Sequence, residues 1–325
     1  MSIIEDNYLE IIRFSGLIEQ LKLRCTSRHN LNRNNSELLK EYFHIRNNNG
    51  NNKIVFDQVC KLGFLNLAKW LYCNTLVNLH DNNYNTFRLS CLYGHIDLAK
   101  WIFCKIYGKY SVHVPLNMAF LAGCKNGHME IAKWVYELGG RDYDDNGFID
   151  CCKNGHLDMV KWLYGLNIKV REYSLYVAFS ETCINGHIDV AKWLYNLGII
   201  NINLHIKDVF EDVCRHGQLE IAKWLYNCSD ILNITIKFGF IASCSSNNLE
   251  LTKWLYSIDT IDININQNQP FRIASVYYNL DLAKWLYEHG AIIDRSSAAL
   301  RIWTAKGDDE IPYYKFMEWL NSLEI

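Results

Sequence analysis

Proline is almost absent. Three occur in 325 residues, so a fold built on proline-rich turns or extended polyproline segments is excluded. No apolar run reaches the roughly 18–20 residues that span a bilayer. An excess of positive charge is missing too, with 33 Lys and Arg against 35 Asp and Glu. A polyanion-binding surface is therefore not implied, and no nucleic-acid or membrane partner is expected. The first residues, Met1 to Leu9, carry Glu5 and Asp6 and no basic stretch before an apolar one, so they do not read as a signal peptide. P-loop, nucleophile-elbow and dinucleotide glycine patterns are all lacking. What is present is apolar: 50% hydrophobic and 14% aromatic, with 21% charged, which excludes a disordered chain. Asn is abundant, at 34 residues, a bias of source rather than mechanism.

Twelve cysteines invite a disulfide or zinc reading, but the chain first shows a repeat. A Lys-Trp dipeptide recurs at Trp70, Trp101, Trp134, Trp162, Trp193, Trp224, Trp254 and Trp285. Fourteen residues before each stands a phenylalanine, from Phe56 and Phe87 to Phe271. Ten before it stands a cysteine in seven copies, with Ser275 in the eighth. The block itself keeps its length, and the spacing varies only between blocks. Fixed blocks with elastic joints are the mark of packed helices joined by surface loops.

Each block holds two helical stretches. In the first, Phe56, Val59 and Cys60 share a face. Glycines such as Gly94, Gly127 and Gly186 then close it, since glycine adopts the left-handed conformation that ends a helix. The second opens with an acid, as at Asp97, Glu130 and Asp189, which suits a helix N-terminus and stands three residues before the lysine. Ile188, Val190, Ala191 and Leu194 form its apolar face, with Trp193 beside them. One such hairpin cannot bury its own face, whereas stacked neighbours can.

These residues resemble the ankyrin repeat. Phe stands where the family has the leucine of T-P-L-H, Cys where it has the second alanine, and the inter-helix Gly-His survives at Gly94-His95, Gly127-His128, Gly155-His156 and Gly186-His187. The F-x3-C-x2-G-H-[LI]-D-x-A-K-W-L-Y form is similar to the divergent ankyrin families of giant DNA viruses that infect amoebae. The resemblance implies an all-α, ankyrin-like solenoid of stacked helix-turn-helix repeats. It departs from the family in lacking the T-P turn, Pro270 alone standing near that place, and in Asn247-Asn248 and Tyr278-Asn279 replacing Gly-His. The expected organisation is a cap over residues 1–51 with one worn copy (Leu9 to Leu23) and an insertion, eight repeats over 52–290, and a worn capping copy over 291–325.

Several sharper readings compete with plain packing. Cys91/His95, Cys124/His128, Cys152/His156 and Cys183/His187 imitate metal-ligand pairs, but cysteine on a helix–helix face behaves as a small hydrophobe. Packing is favoured, with no metal, no cofactor and reduced thiols. The histidines are expected to bond backbone at the inter-helix turn rather than to act as general bases. The tryptophans are expected inside the outer-helix core. Burying an indole contributes on the order of 4–6 kcal/mol at most, so Trp193→Ala would cost ~3–5 kcal/mol. The lysines before them are expected to be a solvated face, largely neutralised by the acids.

The resemblance implies a non-enzymatic protein-binding scaffold, acting as a monomer inside the cell, in the host cytoplasm, on a host or viral protein. The alternative is the substrate-recognition subunit of a ubiquitin ligase, which would need a docking segment near one end. A catalytic domain would have to fit in the fewer than 90 residues outside the array. Partner-binding residues are sought in two neighbouring joints that depart from the template. The longest holds Tyr107, Lys109, Tyr110 and His113, and the shortest holds Arg141, Tyr143, Asp144 and Asp145. Tyrosine and arginine are favoured at interfaces.

Overall fold

The structure, a computed structural model, describes residues 52–74, 77, 79, 85–107, 116–166, 170–198, 206–228, 233–246, 248–293 and 310–323. Every regular element among them is an α-helix. Eight hairpins follow one another: α1 (Asn52–Leu62) with α2 (Leu65–Asn74), α3 (Asn85–Leu92) with α4 (Ile96–Tyr107), α5 (Leu116–Lys125) with α6 (Met129–Glu137), and α7 (Asn146–Lys153) with α8 (Leu157–Gly165). Then come α9 (Glu172–Ile184) with α10 (Ile188–Asn196), α11 (Ile206–Arg215) with α12 (Leu219–Cys228), α13 (Asn233–Ser243) with α14 (Leu249–Ile258), and α15 (Ile265–Val276) with α16 (Leu280–Glu288). A last helix, α17 (Glu310–Ser322), packs on α16. First helices pack on first helices in chain order, from α1 on α3 through to α11 on α13. The worn copy over Leu9 to Leu23, the insertion that follows it, and Leu300, Trp303 and Gly307 lie outside the described residues.

One continuous core runs through these hairpins, from Phe56 to Leu320. Its largest rungs are the first-helix phenylalanines. Phe56, Phe87, Phe120, Phe179, Phe210, Phe240 and Phe271 have no solvent exposure, and Phe148 almost none. The second helix contributes the residues three before and one after each tryptophan, such as Val190 and Leu194, both buried. The residue two before is small in most copies and also buried, as at Ala191 and Ala222, which lets the helices approach closely.

The indoles differ from the sequence expectation. All eight are half-buried, packed on the core rather than inside it. The reason is angular. A helix turns about 100° per residue, so a stripe centred on the residues three before and one after the tryptophan leaves the indole on its flank. The tyrosine two residues after the tryptophan falls on the opposite flank, and the lysine one before it points to water.

The seven thiols ten residues before the tryptophans (Cys60, Cys91, Cys124, Cys152, Cys183, Cys214 and Cys244) are free and buried. Burial pushes Cys60 and Cys91 up to about 12, and raises Cys183, Cys214 and Cys244 as well. Cys73 and Cys104, by contrast, are exposed. Iodoacetamide should therefore label Cys73 and Cys104 in the native protein and reach Cys183 only on unfolding. Labelling of Cys183 at the rate of Cys104, read by peptide mass spectrometry, would contradict this placement.

The proline-bearing repeat enters by an unexpected route. Asn266, Gln267 and Asn268 are left-handed, with φ of 53, 59 and 60°. Pro270 follows and is buried, in the opening turn of the right-handed part of α15, where a missing N–H costs little.

Candidate functional site

The joints between repeats are where the side chains act across the array, and two sets of contacts recur there. The first is aromatic. From the second described repeat on, the tryptophan meets the aromatic ring two residues after the preceding repeat's tryptophan, edge to face: Tyr72 with Trp101 at 5.6 Å, Tyr164 with Trp193 at 5.5 Å and Tyr226 with Trp254 at 5.8 Å between ring centroids. Where Phe103 replaces the tyrosine, it meets Trp134 at 5.6 Å. The buried phenylalanine joins in, since Trp162 lies 5.9 Å from Tyr136 and 6.3 Å from Phe120. The ladder reaches α17, where Trp319 meets Tyr287 at 6.3 Å. The indoles are thus joints between repeats rather than a free stacking platform.

The second set is polar. His95 Nε2 donates to the carbonyl of Lys61 at 2.9 Å, His128 Nε2 to Leu92 at 3.0 Å, and His156 Nε2 to Lys125 at 3.1 Å. Each partner is a carbonyl near the end of the preceding repeat's first helix, one of the groups a helix leaves unpaired. The sequence reading placed these bonds at the inter-helix turn, and they do lie there, but they cross from one repeat to the next. Where the histidine is replaced, an amide does the same work: Gln218 Nε2 donates to Ile184 at 3.0 Å, and Asn248 Nδ2 to Gly217 at 2.8 Å. Asn248 and Asn279 also accept from the N–H groups of Leu251 and Leu282, capping α14 and α16. Cysteine and histidine therefore serve different roles. The rings reach back to a helix-end carbonyl of the previous repeat. The thiols are buried in the core, where Cys244 donates to the Phe240 carbonyl of its own helix at 3.2 Å and Cys151 to the Cys124 carbonyl of the preceding repeat at 3.0 Å. Among the described residues no three of His, Cys, Asp and Glu are grouped as a metal would require.

The lysines before the tryptophans are solvent-facing, and Lys223 and Lys253 close ion pairs of 3.2 Å with Glu220 and Glu250. Lys100 instead lies over the Trp134 ring, 5.9 Å from its centroid. On the first-helix side, Lys125 reaches Asp150 at 3.9 Å and Lys153 reaches Glu181 at 3.0 Å, each pair spanning two repeats. The next acids along, Glu211 and Asp212, pair within their own helix with Arg215.

Of the eight residues singled out in the sequence, Tyr107 ends α4, while Lys109, Tyr110 and His113 lie outside the described residues. The other four share one joint but have different environments. The Arg141 guanidinium donates to the carbonyls of Tyr136 (2.7 Å) and Gly140 (2.8 Å) and lies 4.0 Å from the centroid of the Tyr136 ring. Asp145 is buried, left-handed at φ 59°, and accepts from Arg171 through its Nε at 2.8 Å and its N–H at 3.2 Å. These two residues build the joint. Tyr143 and Asp144 project from it, Tyr143 with 74% of its surface exposed. Sequence reasoning missed Tyr173, 76% exposed at the head of the next repeat; its signal was a tyrosine two residues past Arg171, outside the template. It also missed Asp142, whose Oδ2 accepts from the N–H of Phe148 at 3.1 Å and so helps hold the start of α7. Burial raises the Asp142 carboxyl despite that bond.

Burial would also raise Asp145, but the bonds from Arg171 and Ser174 outweigh it and hold its carboxyl below the usual range. A carboxylate with a depressed folded-state pKa contributes stability above its unfolded value, about 3.9, and loses that contribution as pH falls through the folded value. The urea midpoints of the wild type and Asp145→Asn should therefore differ at pH 7 and converge as pH is lowered below about 4. A gap of constant size across that range would contradict the assignment.

No family model and no curated protein matches the chain. Among solved structures, the ankyrin repeat domain of human ASB11 is similar, at 18% identity and a TM-score of 0.42, covering 55% of this chain and 84% of that one. No helix among the described residues is long and apolar enough to cross a membrane.

Proposed function

We propose that the array is a non-catalytic protein-binding scaffold that presents its first helices and joints to a host or viral protein, as a monomer. The observation that carries this reading is the bonding across the joints. The rings and amides of His95, His128, His156, Gln218 and Asn248 each tie one hairpin to its predecessor. Side chains on neighbouring first helices are thereby held in fixed register before any partner arrives, so little ordering entropy is lost on binding. In this reading α17 is the outer helix of a capping copy over residues 291–325, supported by buried Phe316 and Leu320 and by the rung between Trp319 and Tyr287.

The joint residues Tyr107, Lys109, Tyr110, His113, Tyr143 and Asp144 are the proposed contact set, with Arg141 and Asp145 shaping the loop that carries Tyr143 and Asp144. Affinity capture by the immobilised protein tests this, comparing the wild type with Tyr110→Ala combined with Tyr143→Ala. Loss of captured protein from a variant with unchanged circular dichroism supports the site. Equal capture by both contradicts it.

A further inference from the structure

We infer that Tyr143 and Tyr173 form one docking surface for an extended, arginine- or lysine-bearing segment of the partner, an inference that rests on the scaffold reading above and gives the partner its chemistry. The two rings belong to consecutive repeats and are the two most exposed tyrosines among the described residues, at 74 and 76%. Neither meets another ring or a hydrogen-bond partner among the described residues. Yet their backbones are fixed relative to each other. Tyr143 lies two residues before Asp145, Tyr173 two after Arg171, and Arg171 donates twice to one Asp145 oxygen. Asp142, holding the start of α7 through Phe148, pins the loop from the other side. Two unpartnered aromatic faces on a rigid base are what a binding surface needs and what an ordinary polar loop lacks.

Charge decides the occupant. Over residues 141–145 and 171–173, four carboxylates stand against two guanidiniums. Both guanidiniums are already engaged, Arg141 on the carbonyls of Tyr136 and Gly140 and Arg171 on Asp145. Asp144 and Glu172, next to the two tyrosines in sequence, are exposed and form no ion pair among the described residues. The immediate neighbours of the rings are thus acidic rather than apolar, which suits a cation over a ring better than an inserted aliphatic side chain. The chain already uses this contact internally, with Arg141 over Tyr136 at 4.0 Å and Lys207 over Phe238 at 4.6 Å.

The test uses the whole protein and a fluorescein-labelled peptide of alternating glycine and arginine, read by anisotropy at low ionic strength. Tyr143→Ala with Tyr173→Ala should weaken binding about tenfold, and the corresponding double change to Phe should leave it unchanged. Asp144→Asn with Glu172→Gln should weaken it several-fold. Glu130→Gln with Asp158→Asn removes the same charge from the second helices and should have no effect. The inference is overturned if the peptide does not bind, if that control weakens binding as much, or if the double alanine variant binds as the wild type does. It is also overturned if a glycine–glutamate peptide binds equally well. Should the peptide fail while Tyr143→Ala with Tyr110→Ala still abolishes protein capture, the cationic partner falls and the scaffold reading stands.

Discussion

Phe179→Ala is expected to lower the unfolding free energy by about 3–5 kcal/mol, the largest effect of any single side-chain truncation considered. Phe179 has no exposed surface and touches Trp224 of the following repeat at 6.3 Å. Its loss leaves a cavity at a joint that α9 and α11 cannot close without breaking register with their own neighbours. The comparison with Trp193→Ala makes the prediction sharp. The sequence alone assigns that indole a cost as large, but it lies on the flank of the core and keeps part of its surface in water, so the expected cost is lower, about 2–3 kcal/mol. Urea midpoints followed by circular dichroism should rank the two variants in that order. The reverse order, or equal midpoints, would mean that the indoles and not the phenylalanines are the inner rungs.

Gly127→Ala is the second large effect, at about 2–3 kcal/mol. Two causes combine. At φ +72° an alanine pays the left-handed penalty, about 1–2 kcal/mol. Its methyl would also lie 2.8 Å from Nδ1 of His156, the ring that donates to Lys125 across the same joint. The ring must move, and the bond weakens or is lost, for about 0.5–1.5 kcal/mol more. Gly198→Ala separates the two terms. Its φ of +66° is nearly the same, with nothing within 4 Å of the added methyl, so only the backbone term of about 1–2 kcal/mol is expected. Equal losses in the two variants would show that the histidine plays no part in holding the joint.

Much of this architecture is legible in the sequence. The spacing of phenylalanine, cysteine, glycine and tryptophan marks the hairpins and their ends, because those positions are set by geometry within one repeat. The contacts between repeats are legible only in part. His95 bonds a carbonyl 34 residues earlier in the chain, and no local pattern says which carbonyl that is. Tyr164 and Trp193 look alike in the template, yet they sit on opposite flanks of their helices and meet only across a joint. The left-handed turn at Asn266 to Asn268 shows in the sequence only as two asparagines, which tolerate such a conformation, with Gln267 between them. At the candidate site, exposure could not be read from residue type. Arg141 and Asp145 had the composition of an interface, but one covers a tyrosine of its own repeat and the other anchors the next. Tyr173 was hidden because the first-helix template ignores its position.

The central claim is that each hairpin is held by the one before it, and a double-mutant cycle on Tyr164 and Trp193 tests it most directly. The rings lie 5.5 Å apart at 86°, and no hydrogen bond complicates the pair. Changing each to leucine, singly and together, should reveal a coupling of about 0.5–1.5 kcal/mol, while the same cycle on Tyr164 and Trp224, two repeats apart, should give none. A coupling absent from the first pair, or of equal size in both, would contradict an array built from nearest-neighbour joints.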